Sequence, residues 1–205
     1  MPRYGQIDHD YAMTLASRHA DADGPIYMLN LMAYREEADY GPDGERGVPG
    51  READDRYAPL EVLAAIGAQI CFVADVIDSS EPWDRVAVVR YPTRRSFIEM
   101  QSREDFQAKH VHKDAGMART IIMGTLPVGD LPAKADGAVL LQVDAAGRGD
   151  GDSAGSSFSV EGTIIGDGRQ WAAVRFAPVA DGTATVAATE GGQALLLRPG
   201  LQQWQ

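Results

Sequence analysis

The stretch Pro25-Ile26-Tyr27-Met28-Leu29-Asn30-Leu31-Met32-Ala33-Tyr34 decides how the rest of this chain is interpreted. It is an apolar run of strand length, and the charged turn Arg35-Glu36-Glu37 follows it. Continuous apolarity over so few residues is typical of a strand buried on both faces. Asn30 places an amide in the middle of this run. If the strand is buried, that amide must be hydrogen-bonded by the protein, by water or by a ligand.

The alternation of side chains along a strand determines which residues share a face with Asn30. Met28 and Met32 lie on its face, and Leu29 and Leu31 lie on the other. We expect the methionine face to line a cavity between two sheets and the leucine face to contact helices. The alternative is that Asn30 is a core residue bonded to a neighbouring loop.

Composition and charge exclude several classes of partner. The 205 residues carry a net charge of −11, so binding to a nucleic acid or to an anionic membrane is not expected. The single cysteine, Cys71, excludes an intrachain disulfide and a cysteine-based zinc site. No apolar run has the length of a membrane span, and the N-terminus lacks a signal-peptide core. We therefore predict a cytoplasmic protein.

The first part of the chain has the pattern strand, helix, strand, strand, helix, strand after an amphipathic N-terminal helix. The predicted strands are residues 26–34, 69–77, 83–91 and 120–126. The predicted helices are residues 7–20 and 57–67, one capped by Thr93 and one opened by a capping box at Ser102 and Asp105. The polar segment 35–56 is predicted to be a long loop, either a lid or a disordered excursion.

The remainder of the chain repeats this pattern in reduced form. An apolar strand carries Gln142 where the first strand carries Asn30, and the order Trp, Arg, aromatic, Pro recurs from Trp171 to Pro178. Further strands are predicted at residues 158–165 and 194–198. Glycine- and aspartate-rich segments stand in place of the two helices: residues 145–156 and 181–191.

We therefore predict an α+β fold with two tandem ferredoxin-like units, residues 1–132 and a degenerate second unit at 133–205. A sheet with helices on one face leaves the other face bare and apolar, and that face must be covered. We expect the two sheets to pack face to face as a dimeric α/β barrel within one chain. A homodimer is the alternative.

The sequence resembles the domain-of-unknown-function family 1330 over roughly residues 20–127. The resemblance rests on these residues and segments: Gly24 to Leu31, Arg35, 50–53, Tyr57, 83–94, Phe97, Phe106-Gln107 and His112-Lys113. It implies the dimeric α/β-barrel superfamily, which contains antibiotic-biosynthesis monooxygenases, muconolactone-isomerase-like proteins, polyketide cyclases and haem-binding members. Many relatives in the longer subgroup carry His-Arg in place of His112-Lys113.

Two histidines at the end of the last predicted helix of the first unit are candidates for acid–base chemistry. His110 and His112 are two residues apart, so they cannot share a helix face. We prefer His112 as the proton acceptor, because it corresponds to the histidine of the family relatives and because small alanines share its face. A surface or capping role is the alternative for both.

The predicted pocket combines this histidine with the first and third strands. Asn30 binds the substrate oxygen, Arg90 stabilises negative charge on it, and Tyr57 closes the site beneath the 35–56 loop. The remaining walls are formed by Met28, Met32, Trp83 and His110. In the alternative interpretation Arg90 forms an ion pair with Asp75.

We expect a cofactor-independent enzyme acting on a small aromatic, polyketide-like or otherwise enolisable substrate, as a monooxygenase, isomerase, cyclase or lyase. The alternatives are a non-catalytic ligand-binding or stress-associated protein and a haem-binding member of the superfamily, since one axial histidine suffices for haem. No histidine or carboxylate spacing indicates a metal, and no nucleotide-binding motif is present. We therefore predict neither a metal nor a cofactor.

Overall fold

The apolar run forms a strand over Ile26–Tyr34, as predicted, in a computed structural model that describes residues 4–145, 155–179, 184 and 186–204. The strands of the described residues are β1 Gln6–Ile7, β2 Ile26–Tyr34, β3 Gln69–Ser79, β4 Arg85–Tyr91, β5 Met117–Val128, β6 Ala138–Ala145, β7 Ser156–Gly166, β8 Trp171–Val179 and β9 Gln193–Gln202. The α-helices are α1 His9–Ser17, α2 Gly50–Tyr57, α3 Leu60–Ala65, α4 Arg94–Gln101, α5 Glu104–Gln107 and α6 His110–Gly116.

Strands β2 to β9 form one closed antiparallel barrel of eight strands. The order around the barrel is β7-β5-β2-β4-β3-β9-β6-β8, and β8 pairs with β7 to close it. The short strand β1 adds to the end of β7. The predicted fold of two ferredoxin-like sheets packed face to face as a dimeric α/β barrel is therefore wrong.

The physical reason for the difference lies at the edges of the sheet β5-β2-β4-β3. Its two edge strands do not stay open, because β3 pairs with β9 and β5 pairs with β7. This satisfies the backbone hydrogen bonds that an exposed edge would leave unpaired. The bare sheet face, for which a homodimer was the alternative cover, thus lies inside the chain's own barrel, and homodimerisation itself stays a prediction. The domain boundary at residue 132, between β5 and β6, also stays a prediction.

The barrel interior is filled by apolar side chains from both parts of the chain. Within this core, four aromatic rings form one connected cluster: Phe72, Phe158, Phe176 and Trp204. The indole of Trp204 stacks on the ring of Phe72 with centroids 5.4 Å apart. These packed rings form part of a core that stabilises the closed sheet.

A second core lies outside the barrel, between the sheet and the helices. Tyr11 and Leu15 of α1, Phe97 of α4 and Phe106 of α5 pack there against Ile26 and Met28 of β2. β2 is therefore buried on both faces, as its continuous apolarity predicted.

The predicted assignment of the two faces of β2 is wrong. Leu29 and Leu31 belong to the core inside the barrel, whereas Met28 and Asn30 face the helices. The error arises from the register with β4. Asn30 lies opposite Ala87, and directly opposed residues share a face.

The other element predictions have mixed outcomes. The strands of the second part of the chain are present, and Thr93 caps α4 as predicted. The capping box at Ser102 is absent, because α5 begins after Arg103 without a side-chain cap. The segment 35–56 contains most of α2, which was not predicted. Most of 145–156, one of the two segments predicted to lack a helix, lies outside the described residues, and the described part of the other, 184 and 186–191, contains no helix.

Two glycines bring α2 and α6 into backbone contact. Gly50 donates its N–H to the Arg35 carbonyl oxygen, and the carbonyl oxygen of Gly116 accepts from the Arg35 N–H. A Cβ at position 116 would overlap the Gly50 carbonyl oxygen and lie 2.8 Å from the Cβ of Ala53. Only glycine permits this approach, and the approach determines how the side chains of α2 and α6 meet.

We expect Gly116→Ala to lower the free energy of unfolding by about 1–3 kcal/mol, because the added methyl group must push two backbones apart. Urea unfolding of the purified variant measures this loss. Gly24→Ala is the matched control, since a Cβ there meets no atom within 4 Å. Equal stability of the two variants would show that the close approach is not a constraint.

Candidate functional site

A cavity of about 770 Å³ lies between the outer face of the barrel and the helices. Strands β2, β3, β4, β5 and β7 form its floor, and α1, α2, α3, α4 and α6 form its walls. Most of its lining is aliphatic, aromatic or methionine side chains, including Met28, Val89, Phe97, Ile122 and Ile164. Volume and lining are those of a typical small-molecule site.

One end of the cavity is polar and is organised by Asp54 of α2. The Tyr34 hydroxyl donates a 2.7 Å hydrogen bond to Asp54 Oδ2, and Arg85 Nη1 lies 3.4 Å from the same oxygen. Arg85 Nη1 also donates to Asp55 at 2.7 Å. Burial raises the pKa of the Asp54 carboxyl, although the neighbouring Tyr34, Lys113 and Arg85 oppose this shift. Buried charges of both signs thus meet at this end.

Lys113 of α6 extends into the same end of the cavity. The residue is only 8% exposed, and its Nζ lies 5.0 Å from the ring centre of Tyr57 and 5.4 Å from that of Tyr4. These are cation–π distances. Burial nevertheless lowers the pKa of the Lys113 amine, against the opposing effect of Asp54 and Asp114.

His110 lies three residues before Lys113, so both side chains face the cavity from one side of α6. Its imidazole packs against the rings of Phe106 and Tyr57, with centroids 4.7 and 6.0 Å away. His110 Nε2 is buried and has no hydrogen-bond partner among the described residues. Burial, reinforced by the charge of Lys113, lowers the pKa of His110. The imidazole is therefore neutral at pH 7.

Five of the eight residues predicted from the sequence line this cavity: Met28, Asn30, Met32, Tyr57 and His110. The amide of Asn30 donates from Nδ2 to the Met28 carbonyl oxygen at 2.9 Å. This bond is to its own strand, and Asn30 still lines the cavity.

The structure places the other three residues elsewhere. Trp83 belongs to the barrel interior and donates from Nε1 to Gln193 Oε1 at 2.5 Å. Arg90 is opposite Tyr27 in the ladder, on the interior face, and so on the other side of the sheet from Asn30. His112 Nδ1 lies 2.9 Å from the Tyr40 hydroxyl and does not line the cavity.

The ion pair between Arg90 and Asp75, the alternative interpretation of Arg90, is not formed. Asp75 lies opposite Arg85 in the ladder, on the outer face, and binds Arg51 with Nη2 to Oδ1 at 2.5 Å. Arg90 lies opposite Tyr27 in the ladder, and its positive charge opposes the rise in the pKa of the Tyr27 hydroxyl that burial causes.

Sequence reasoning missed three charged residues at the polar end of the cavity: Asp54, Arg85 and Lys113. Asp54 lies in the segment predicted to be a loop. Arg85 has the parity of Ala87 and Val89, and all three line the cavity. The signal for Lys113 was its spacing of three from His110, which places both on one helix face.

Among the described residues, no group of three or more histidine, cysteine, aspartate or glutamate side chains could hold a metal ion. Within the same part of the chain, no helix has the length and apolarity needed to cross a membrane.

Fold and site together define an eight-stranded antiparallel barrel with a small-molecule-sized cavity under its external helices. Neither a family model nor a curated protein matches the sequence, and the resemblance to family 1330 stays a prediction. The chain is similar to the crystal structure of methylated RPA0582 protein, with 27% identity over 63% of this chain and 100% of that chain and a TM-score of 0.54. A second structure of RPA0582, a protein of unknown function from Rhodopseudomonas palustris, gives 25% identity over 63% of this chain and 99% of that chain, with a TM-score of 0.50.

The lowered pKa of His110 has a consequence for stability. Between its folded pKa and the ordinary value of about 6.5, the unfolded chain binds more protons than the folded protein. The free energy of unfolding therefore rises with pH through this window. We expect a smaller rise in His110→Gln than in the unmodified protein, measured by urea unfolding from about pH 5 to 7. Parallel curves for the two proteins would contradict the burial of an uncharged His110.

Proposed function

We propose that this protein is an enzyme that transfers a proton on a small, largely apolar and enolisable substrate in the cavity between helices and barrel. The observation that carries the proposal is His110, which lines the cavity and whose buried Nε2 has no protein partner among the described residues. A buried polar atom without a partner costs free energy, which a ligand or a substrate proton can recover.

Each part of the site has a role in such a reaction. Neutral His110 takes the proton next to a carbonyl group, because its pKa keeps it unprotonated at pH 7. Lys113 supplies a positive charge at the polar end, where negative charge develops on the substrate oxygen. The apolar walls bind the remainder of the substrate and exclude water.

The residues outside the immediate reaction hold this geometry. Asp54 is fixed by Tyr34 and Arg85, so its carboxylate keeps a constant position relative to Lys113. Tyr57 lies against both His110 and Lys113. A site held by buried groups on rigid elements loses little entropy when it reacts.

The proposal replaces His112 with His110 as the proton acceptor and does not use Arg90, because neither His112 nor Arg90 lines the cavity. The expected substrate class, an aromatic or other enolisable metabolite, is unchanged. A cytoplasmic location stays a prediction.

The test follows hydrogen–deuterium exchange at the carbons beside the carbonyl of 4-phenyl-2-butanone in deuterated buffer, observed by NMR. The protein should accelerate this exchange, and His110→Ala should lower the rate by about 10²–10⁴-fold, the usual cost of losing a general base. His112→Ala is the matched control and should exchange as fast as the unmodified protein, since His112 lies outside the cavity. Exchange that depends on His112 but not on His110 would overturn the assignment.

A further inference from the structure

A site that needs only a positive charge does not require a lysine at position 113. An arginine would supply the charge permanently, whereas a lysine can lose its proton and become a nucleophile when buried. The side chain lies in a cavity with mainly apolar walls, over the rings of Tyr57 and Tyr4. Among the described residues, the protein chain makes no hydrogen bond to its amine that would block the approach of a ligand.

We propose that the Lys113 amine adds to the carbonyl carbon of an aldehyde or ketone bound in the cavity and forms a Schiff base with it. This inference rests on the proposed function and names its substrate class, an apolar carbonyl compound. Burial lowers the pKa of the amine, which raises the fraction of the nucleophilic neutral form.

The reaction balances without a further reactant. The nitrogen lone pair forms a bond to the carbonyl carbon, and one proton moves from the nitrogen to the former carbonyl oxygen to give a neutral carbinolamine. Loss of that oxygen as water, with one more proton, leaves a carbon–nitrogen double bond and one positive charge on nitrogen. Lys113 therefore keeps the positive charge at the polar end, now covalently joined to the substrate.

Neighbouring side chains can carry the protons that these steps need. Asp54 interacts electrostatically with Lys113, and burial raises its pKa, so its carboxyl can both hold and release a proton. His110 lies on the same face of α6 and can take the proton from the carbon beside the iminium group. An iminium group acidifies that carbon more than a ketone does, so the covalent step and the proton transfer support each other.

The chain is well suited to a trapping experiment, because it contains three lysines: Lys109, Lys113 and Lys134. Incubation with 4-phenyl-2-butanone and sodium cyanoborohydride reduces a Schiff base to a stable secondary amine. Peptide mapping by mass spectrometry should find the label on Lys113. Labelling should saturate with ketone concentration, and the alcohol 4-phenyl-2-butanol should suppress it by occupying the cavity.

Two variants control the chemistry. Lys113→Arg keeps the charge but cannot form the Schiff base, so the label should disappear from this position. Lys109→Arg should be labelled as the unmodified protein is, because Lys109 Nζ donates to the Ala58 carbonyl oxygen and does not line the cavity. Label spread over Lys109 and Lys134, or labelling of Lys113 that the alcohol does not suppress, overturns the proposal even if the arginine variant fails to fold.

The two proposals fail separately. Exchange that persists in Lys113→Arg, with no label on Lys113 in the unmodified protein, overturns the Schiff base and leaves the proton transfer standing. A specific label on Lys113 without exchange supports the Schiff base and overturns the proton transfer by His110. Absence of both label and exchange overturns both proposals.

Discussion

The burial of β2 on both faces is the constraint on which the rest of the structure depends. Its leucines face the packed interior of the barrel, and its methionines face the helices. A strand in this position cannot present a polar side chain on either face without giving it a partner or a cavity. Asn30 is that side chain, and the cavity lies on its side of the sheet. The site thus lies outside the barrel, where the helices leave space.

The strands were accessible from the sequence because short apolar runs bounded by Gly, Pro and charged turns have few other interpretations. It was harder to predict which face of each strand lies inside the barrel. The residues that share a face with Asn30 were predicted correctly from alternation, but Leu29 and Leu31 were assigned to the helix side, whereas they lie in the barrel interior. Parity along one strand is a local property, whereas the relative parity of two strands depends on their register. That register cannot be read directly from the sequence.

The closed barrel and the polar end of the cavity depend on contacts between residues far apart in the chain. Pairing of β3 with β9 joins residues 72–79 to 195–202, and no local sequence pattern predicts such a pair. Asp54 was missed because α2 is a short, highly charged helix in a segment whose composition is typical of loops. The position of α2 depends instead on the contact between Gly50 and Gly116. Tertiary contact, and not local propensity, makes this segment helical.

The closing pairs of the barrel also determine the order in which the chain can acquire its structure. Strands β2 to β5 leave the ribosome before β7 and β9 are synthesised. Until then both edge strands of their sheet are unpaired, and its interior face is exposed. Non-local pairing of this kind slows folding and exposes strand edges to other chains in the meantime. The charged residues along β3, Asp75 and Asp78, and the overall charge of −11 oppose association of such unfinished chains. The negative charge of this protein therefore opposes association of chains during synthesis as well as after folding.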